Sequence, residues 1–179
     1  VEGTISNVQV MMKHPDHTKQ MLNDAIDMAH DQIVYLAHMV NDLSTLSRAE
    51  RGVADNAEDI DVREMIHKLH DEYGKEASAK GLHLNLDLGA TLGHVFASRL
   101  YLEEMLQNFI TNAIKYTKTG TITVTVKQKL DVMTFAIKDT GIGISKSDQA
   151  KIFQKFYRSE DYRTRETSGT GLGLYVAAK

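Results

Sequence analysis

The stretch NFITNAIKYT, residues 108–117, carries polar side chains at helical spacing within an otherwise apolar run. Asn108, Asn112 and Lys115 are four and three residues apart, which puts two carboxamides and one ammonium on the same face of an α-helix. Tyr116 follows directly. Asparagine is a poor helix former, so two asparagines on one helical face indicate a polar role that core packing does not explain.

Two glycine-containing segments accompany this face. Asp139 opens DTGIGI (residues 139–144), which offers one carboxylate before two glycines, directly after a predicted strand. Further on, SGTGLGL (residues 168–174) alternates three glycines with small and apolar residues. Glycine lets the backbone approach a ligand closely, and N–H groups of such a turn can surround a phosphate. The stretch matches neither the P-loop nor G-x-G-x-x-G, and alone it is equally compatible with a flexible connection before a helix.

Composition limits the class of protein. The 179 residues are 42% hydrophobic and 25% charged, with a net charge of −3 and no cysteine. This balance predicts one or two globular domains and excludes disulfide bonds, thiolate metal sites and a catalytic cysteine. The charge gives no general attraction to nucleic acid or to an anionic membrane, so we expect neither as a partner. We find no signal-peptide pattern and no apolar stretch of spanning length, so we expect a cytoplasmic location, with any membrane segment elsewhere in the parent protein.

A heptad pattern marks the first part of the chain. Seven apolar positions follow steps of four and three residues: Leu22, Ile26, Ala29, Ile33, Leu36, Val40 and Leu43. Such a seam predicts a long helix with a packing partner. Val1 to Met12 show similar spacing and a proline-containing turn follows, so we expect an antiparallel helical hairpin over residues 1–52. Two helices cannot bury the seam, which favours a homodimeric four-helix bundle; packing on the rest of the same chain is the alternative.

A polar, acidic stretch then separates two regions, and we place a linker at residues 53–60. Residues 61–179 predict an α+β domain with helices on one face of a mixed sheet. The expected helices are Arg63–Ala79, Arg99–Tyr116 and residues 147–156, and the expected strands are residues 83–88, 94–97, 121–130 and 131–139. The last two strands form a predicted antiparallel hairpin.

The order of the polar segments resembles that of the four sequence boxes of sensor histidine kinases. NFITNAIKYT, DTGIGI, KIFQKFYR and SGTGLGL correspond to the N box, first glycine box, F box and second glycine box. The ATP-binding domain of that family shares a superfamily with gyrase, chaperone and mismatch-repair ATPases. The likeness covers Ile60–Lys179, and DLSTLSRAERG (residues 42–52) resembles the end of the family's dimerisation hairpin. It implies a dimeric four-helix bundle followed by an α/β sandwich ATP-binding domain with a mixed sheet.

The resemblance implies ATP and Mg²⁺ as cofactors and gives catalytic roles to Asn108, Asn112 and Lys115. Asn112 would supply a neutral oxygen to Mg²⁺ with Asn108 beside it, and Lys115 would reach phosphate. Asp139 would accept a hydrogen bond from the adenine amine, which selects adenine over guanine. The last glycines would end a mobile lid and expose N–H groups to the triphosphate. The other implied cofactor-binding positions are Tyr116, Gly141, Ile142, Gly143, Phe156, Arg158, Arg165, Gly169, Thr170, Gly171, Leu172 and Gly173.

The implied activity is phosphate transfer to histidine. In the related ATPases a glutamate four residues before the metal-binding asparagine activates water, but Asn108 stands at that position and a carboxamide is not a general base. This favours a histidine kinase of a two-component system, which passes phosphate to a response-regulator aspartate. The family's phosphoacceptor motif is expected shortly before Val1, so we expect truncation at the start of the hairpin and at the end of the ATP-binding domain. A non-catalytic ATP-binding or dimerisation module and an ATPase of the same superfamily are the alternatives.

Overall fold

A computed structural model describes residues 19–50, 57–159 and 169–178. In chain order, the elements within these ranges are α1 (Lys19–Glu50), β1 (Glu58–Asp61), α2 (Val62–Ala79), β2 (Leu82–Leu88), β3 (His94–Ala97), α3 (Arg99–Tyr116), β4 (Gly120–Lys129), β5 (Val132–Asp139), α4 (Lys146–Gln149) and α5 (Gly173–Ala177). The predicted first helix of the hairpin lies outside the described residues, as does Arg165. The described part confirms the predicted class, a helical N-terminal region followed by an α+β unit.

The helix α1 is 32 residues long, and its predicted apolar seam is open to solvent. All six of the large seam side chains are exposed, from 39% at Leu36 to 66% at Ile33 and Val40. The described side chains that α1 does bury stand elsewhere on the helix, at Ala25 in its first half and at Thr45 and Leu46 near its end. The described part of the chain therefore leaves the seam uncovered. No helix within the described ranges is both long and apolar enough to cross a membrane.

Three strands form the main sheet, in the order β2-β4-β5. β2 runs parallel to β4, and β5 runs antiparallel to it, so the sheet is mixed, as predicted. Alternation along the central strand buries Ile122, Val124 and Val126 on one face and turns the threonines between them to the other. The helices of the domain pack on this apolar face of the sheet.

The helices α2 and α3 cover that face of the sheet. Asp61 caps α2 by accepting a hydrogen bond from the Glu64 N–H (3.0 Å), and this bond lowers the pKa of the Asp61 carboxyl. Between helices and sheet lies one core of buried side chains: Ile60, Val62, Met65, Ile66, Leu69, Ala77, Leu82, Leu106, Ile110, Ala113, Ile114, Ile122, Val124 and Val126. Burial of the apolar side of α3 in this core fixes the direction in which its polar side faces.

Two boundaries differ from those predicted. β1 begins at Glu58, inside the stretch predicted as linker, because it pairs antiparallel with β3 in a separate two-stranded sheet. The helix predicted over residues 147–156 is shorter: α4 ends at Gln149, and hydrogen-bonded turns follow. Phe156 has a left-handed backbone (φ +60), which no continuing helix can contain. The division into residues 1–52, 53–60 and 61–179 remains a prediction.

Candidate nucleotide-binding site

The candidate site is built along the helix α3. Ser98 caps its first turn by accepting a backbone hydrogen bond of 3.4 Å. The predicted polar residues Asn108, Asn112, Lys115 and Tyr116 are all half-buried, beside the core-facing side of the helix. The Lys115 ammonium lies 5.0 Å from the centroid of the Tyr116 ring, a cation–π contact. The predicted set therefore lies on one helix, at the boundary between core and solvent.

The loop after β5 is fastened to the C-terminal end of α3. Asp139 is exposed, and its Oδ1 accepts a hydrogen bond from the Gly141 N–H (2.8 Å). The Ile142 N–H donates to the carbonyl of Tyr116 (3.2 Å). A β-carbon at position 141 would overlap this carbonyl, so the loop reaches α3 because residue 141 is glycine. The structure thus brings the predicted first glycine box to the end of the predicted N box.

The segment Gly169–Gly173, hereafter the glycine segment, packs on the same helix. A β-carbon at Gly173 would overlap Oδ1 of Asn108, and one at Gly169 would lie 2.6 Å from Nζ of Lys115. At both positions the absence of a side chain leaves room for a predicted site residue. Leu172 is fully buried and anchors the segment between these two contacts. The second glycine box therefore also meets α3.

The F box reaches the glycine segment through its backbone. Gly171 is left-handed (φ +72), and its Cα lies against the main chain of Phe156. The Phe156 side chain itself is 59% exposed, so its contact with the site is made by main-chain atoms. Arg158 is exposed nearby, and Gly143 (φ +69) stands in open space on the other loop. All four predicted boxes are thus joined directly or indirectly to α3.

The start of α5 differs from the expected phosphate cradle. This helix has only five residues, and the Leu172 N–H just before it donates to Oγ1 of Thr170 (3.2 Å). That N–H group is therefore already bound within the chain. The resemblance implies that N–H groups at the start of this helix are free to bind phosphate. In this structure the Leu172 N–H is not free.

Residues of α1 stand next to the site, and sequence reasoning gave them no role there. Oγ1 of Thr170 donates to Oδ2 of Asp42 (2.5 Å), and Nδ2 of Asn41 donates to Oε1 of Glu104 (3.4 Å). Burial raises the pKa of Glu104, the Asp42 charge raises it further, and a hydrogen bond with Thr45 opposes the shift. Asp42 and Thr170 are 128 residues apart, and no sequence pattern links them.

The chemistry of these residues fits an adenine nucleotide. The hydroxyl of Thr117 is buried and has no hydrogen-bond partner within the described ranges. Its Oγ1 and Oδ1 of Asp139 each lie 2.9 Å from the position that a β-carbon of Gly141 would take. A hydroxyl without a partner and an exposed carboxylate, both close to residue 141, are groups that can form hydrogen bonds with the ring nitrogens and the amine of a purine. Sequence reasoning missed Thr117, although it directly follows the predicted polar face.

The donor set also fits magnesium bound together with phosphate. No group of three or more His, Cys, Asp or Glu residues in the described part of the chain could hold a metal ion. Asn112 offers one hard amide oxygen, and Mg²⁺ commonly completes its shell with phosphate oxygens and water. Lys115 supplies a point charge for phosphate on the same helix. A site for a metal–phosphate complex therefore suits these residues better than a site for the metal alone.

Known proteins share the sequence pattern and the fold of this chain. Residues 97–179 match the family described as histidine kinase-, DNA gyrase B- and HSP90-like ATPase, so this part of the chain is an ATP-binding domain of that class. The sensor histidine kinase RppB of Synechocystis sp. is 31% identical over 179 residues, covering 97% of this chain and 38% of RppB. The histidine kinase AdeS of Acinetobacter baumannii has a TM-score of 0.72 at 26% identity, covering 98% of this chain and 78% of AdeS.

The same fold recurs in full-length ShkA in complex with AMPPNP, with a TM-score of 0.71 at 20% identity, over 98% of this chain and 36% of ShkA. The chain belongs to the sensor histidine kinases, as their ATP-binding catalytic core. It spans about two fifths of the length of RppB.

Proposed function

We propose that this chain is the dimerising, ATP-binding core of a cytoplasmic protein histidine kinase. The intact kinase would transfer the γ-phosphate of ATP to one of its own histidines, expected before Val1, and then to an aspartate of a response regulator. The observation that carries the proposal is the meeting of three separate polar segments on α3: residues 108–116, the Asp139 loop and the glycine segment. The exposed seam of α1 supports a homodimer, since a second copy would cover it.

Different residues of the site would bind different parts of the nucleotide. Asp139 would accept a hydrogen bond from the adenine amine, and Tyr116 would lie near the base or ribose. Lys115 and Asn108 would serve the phosphates, and Asn112 would hold Mg²⁺ by its amide oxygen. Bound Mg²⁺ supplies neutralisation of charge on the phosphate oxygens.

The remaining cofactor-binding positions would act mainly by close backbone approach. Glycine at positions 141, 143, 169, 171 and 173 keeps side chains out of the way, and Ile142, Thr170 and Leu172 lie between them. Phe156 and Arg158 would stand at the other end of the lid, and Arg158 and Arg165 would supply positive charge to phosphate oxygens.

The environment of α3 favours phosphate transfer over hydrolysis. Asn108 is not basic, and Glu104 one turn earlier is engaged by Asn41 and Thr45 of α1. A histidine imidazole can instead be the nucleophile: its nitrogen bonds to the γ-phosphorus, the bond to the bridging oxygen breaks, and ADP leaves. This assignment matches a chain that also has a long helix with an exposed apolar seam.

Labelling with radioactive ATP tests the proposal. The intact kinase would be incubated with γ-labelled ATP and Mg²⁺, and the labelled protein treated with acid and with base. We expect an acid-labile, base-stable label, which is the behaviour of phosphohistidine. A parallel reaction with α-labelled ATP should leave no label and controls for tightly held nucleotide. Measurable ATP binding without transfer of γ-label would contradict the kinase assignment and indicate a non-catalytic relative.

A further inference from the structure

The helix α1 contacts the nucleotide-binding unit with the side opposite its seam. At 100° per residue, Asp42 lies about 160° around the helix from the seam residue Val40 and about 100° from the seam residue Leu43. Its neighbours Asn41 and Thr45 lie on the same flank, and Thr45 is only 4% exposed. Through this flank α1 reaches both Glu104 of α3 and Thr170 of the glycine segment. The seam is therefore left for a partner while the opposite side holds the domain.

Thr170 is held from two sides in this contact. Its hydroxyl donates to Oδ2 of Asp42 at 2.5 Å and accepts from the Leu172 N–H at 3.2 Å. Leu172 is fully buried, so the backbone that follows Thr170 is fixed as well. One side chain of α1 thus adds a hydrogen bond to the burial and packing contacts that already hold the glycine segment.

The same contact places negative charge beside that segment. The Asp42 carboxylate interacts with the carboxylate of Glu104 as a like charge and also accepts the Thr170 hydrogen bond. Within the described residues, the other groups of α1 that face Glu104 are the neutral Asn41 and Thr45. Two carboxylates at an interface between protein elements repel any further anion that approaches. A triphosphate would meet this repulsion and would find the Leu172 N–H already bound.

We propose that Asp42 is a latch that holds the glycine segment in an arrangement of low affinity for nucleotide. Movement of α1 that breaks the bond to Thr170 would remove the carboxylate and leave the Thr170 hydroxyl free to rotate away from the Leu172 N–H. The latch makes nucleotide affinity depend on the position of the dimerisation helix. This inference rests on the proposed nucleotide-binding function of the site.

Substitution of Asp42 tests the latch. Asp42→Asn keeps a hydrogen-bond acceptor but removes the charge, so we expect the Kd for Mg-AMPPNP, measured by calorimetry, to fall by about three- to tenfold. The gain should shrink at high ionic strength because salt screens the carboxylate. Asp31→Asn is the matched control, since it removes the same charge from a side chain of α1 that is 82% exposed, and its Kd should equal that of the wild type.

A second measurement needs no nucleotide. Asp42→Ala removes the acceptor of the Thr170 hydroxyl, so amide hydrogen exchange at Leu172 should quicken by about fivefold or more, while Asp31→Ala leaves it unchanged. If wild-type protein binds Mg-AMPPNP and Asp42→Asn binds no more tightly, the latch is wrong and the proposed function stands. If wild-type protein binds no adenine nucleotide, the proposed function fails and the latch fails with it. Unchanged exchange at Leu172 in Asp42→Ala would also overturn the latch.

Discussion

Gly171 lies so close to Phe156 that a β-carbon at position 171 would stand 2.7 Å from the Phe156 carbonyl carbon. Both residues have left-handed backbones, with φ of +72 and +60. The F box and the glycine segment are therefore joined by backbone contact. That geometry makes position 171 sensitive to any side chain.

Gly171→Ala should weaken nucleotide binding by about tenfold or more, because a left-handed alanine costs about 1–2 kcal/mol and the new methyl group would push the two segments apart. Affinity for Mg-AMPPNP, measured by calorimetry, checks this. Gly81→Ala is the matched control: its φ is also +72, but nothing lies within 4 Å of the added carbon. It should lower the free energy of unfolding without changing affinity. Equal affinities for Gly171→Ala and wild type would show that the backbone contact has no bearing on the site.

Asn112→Asp should weaken productive binding of Mg-ATP by about tenfold, because a carboxylate adds negative charge beside the phosphates. The Kd for Mg-AMPPNP and the rate of label incorporation from γ-labelled ATP would be measured together. Asn85→Asp, on the exposed side of β2, makes the same chemical change away from the site and should alter neither quantity. Unchanged affinity and turnover in Asn112→Asp would remove this residue from the site.

Ile33→Glu should convert dimers to monomers, because the seam residue is 66% exposed in one chain and a dimer would have to bury the new charge. Analytical ultracentrifugation of wild type and variant gives the mass directly. Asn23→Glu adds the same charge to an exposed residue of α1 beside, but outside, the seam, and should leave the mass unchanged. A monomeric wild type, or a dimeric Ile33→Glu, would count against the bundle.

The stability of the domain should depend on pH through Glu104. Burial and the Asp42 charge raise its pKa above the ordinary value of 4.5, so the folded protein binds this proton more tightly than the unfolded chain does. The favourable contribution of Glu104 to the free energy of unfolding is therefore fully present below about pH 4.5 and is lost as the pH rises through the folded-state pKa. Glu104→Gln should be more stable than wild type at pH 7, with the difference shrinking toward pH 4. Urea unfolding would give the free energy of unfolding of both proteins across this pH range. The same difference between them at every pH would refute a raised pKa of Glu104.

Much of the fold follows from local sequence. The predicted helix Arg99–Tyr116 is observed with those bounds because the Ser98 cap and the apolar spacing agree on where it starts and which side is buried. The strands 82–88, 120–129 and 132–139 follow from alternation of period two. The predicted short helix over 147–156 was too long: α4 ends at Gln149, hydrogen-bonded turns follow, and Phe156 is left-handed where it lies against Gly171.

The site could be predicted less completely than the fold. The α3 polar face and the glycine positions were visible because their residue types are unusual for their elements. The contact of Asp42 with Thr170 and the unpartnered hydroxyl of Thr117 arise only when distant segments meet. Aspartate and threonine are ordinary residues at exposed helix and cap positions, so neither stands out from its neighbours in sequence.

Calorimetric titration of wild type and Asp139→Asn with Mg-AMPPNP tests most directly whether α3 and the Asp139 loop form an adenine nucleotide site. Wild type should bind, with a preference over the corresponding guanine nucleotide. Asp139→Asn should lose about tenfold or more in affinity, because it replaces the charged acceptor of the adenine amine. Asp131→Asn, in the exposed turn between β4 and β5, should bind like wild type. Absence of binding by wild type, or equal binding by Asp139→Asn, would show that α3 and the Asp139 loop do not form this site.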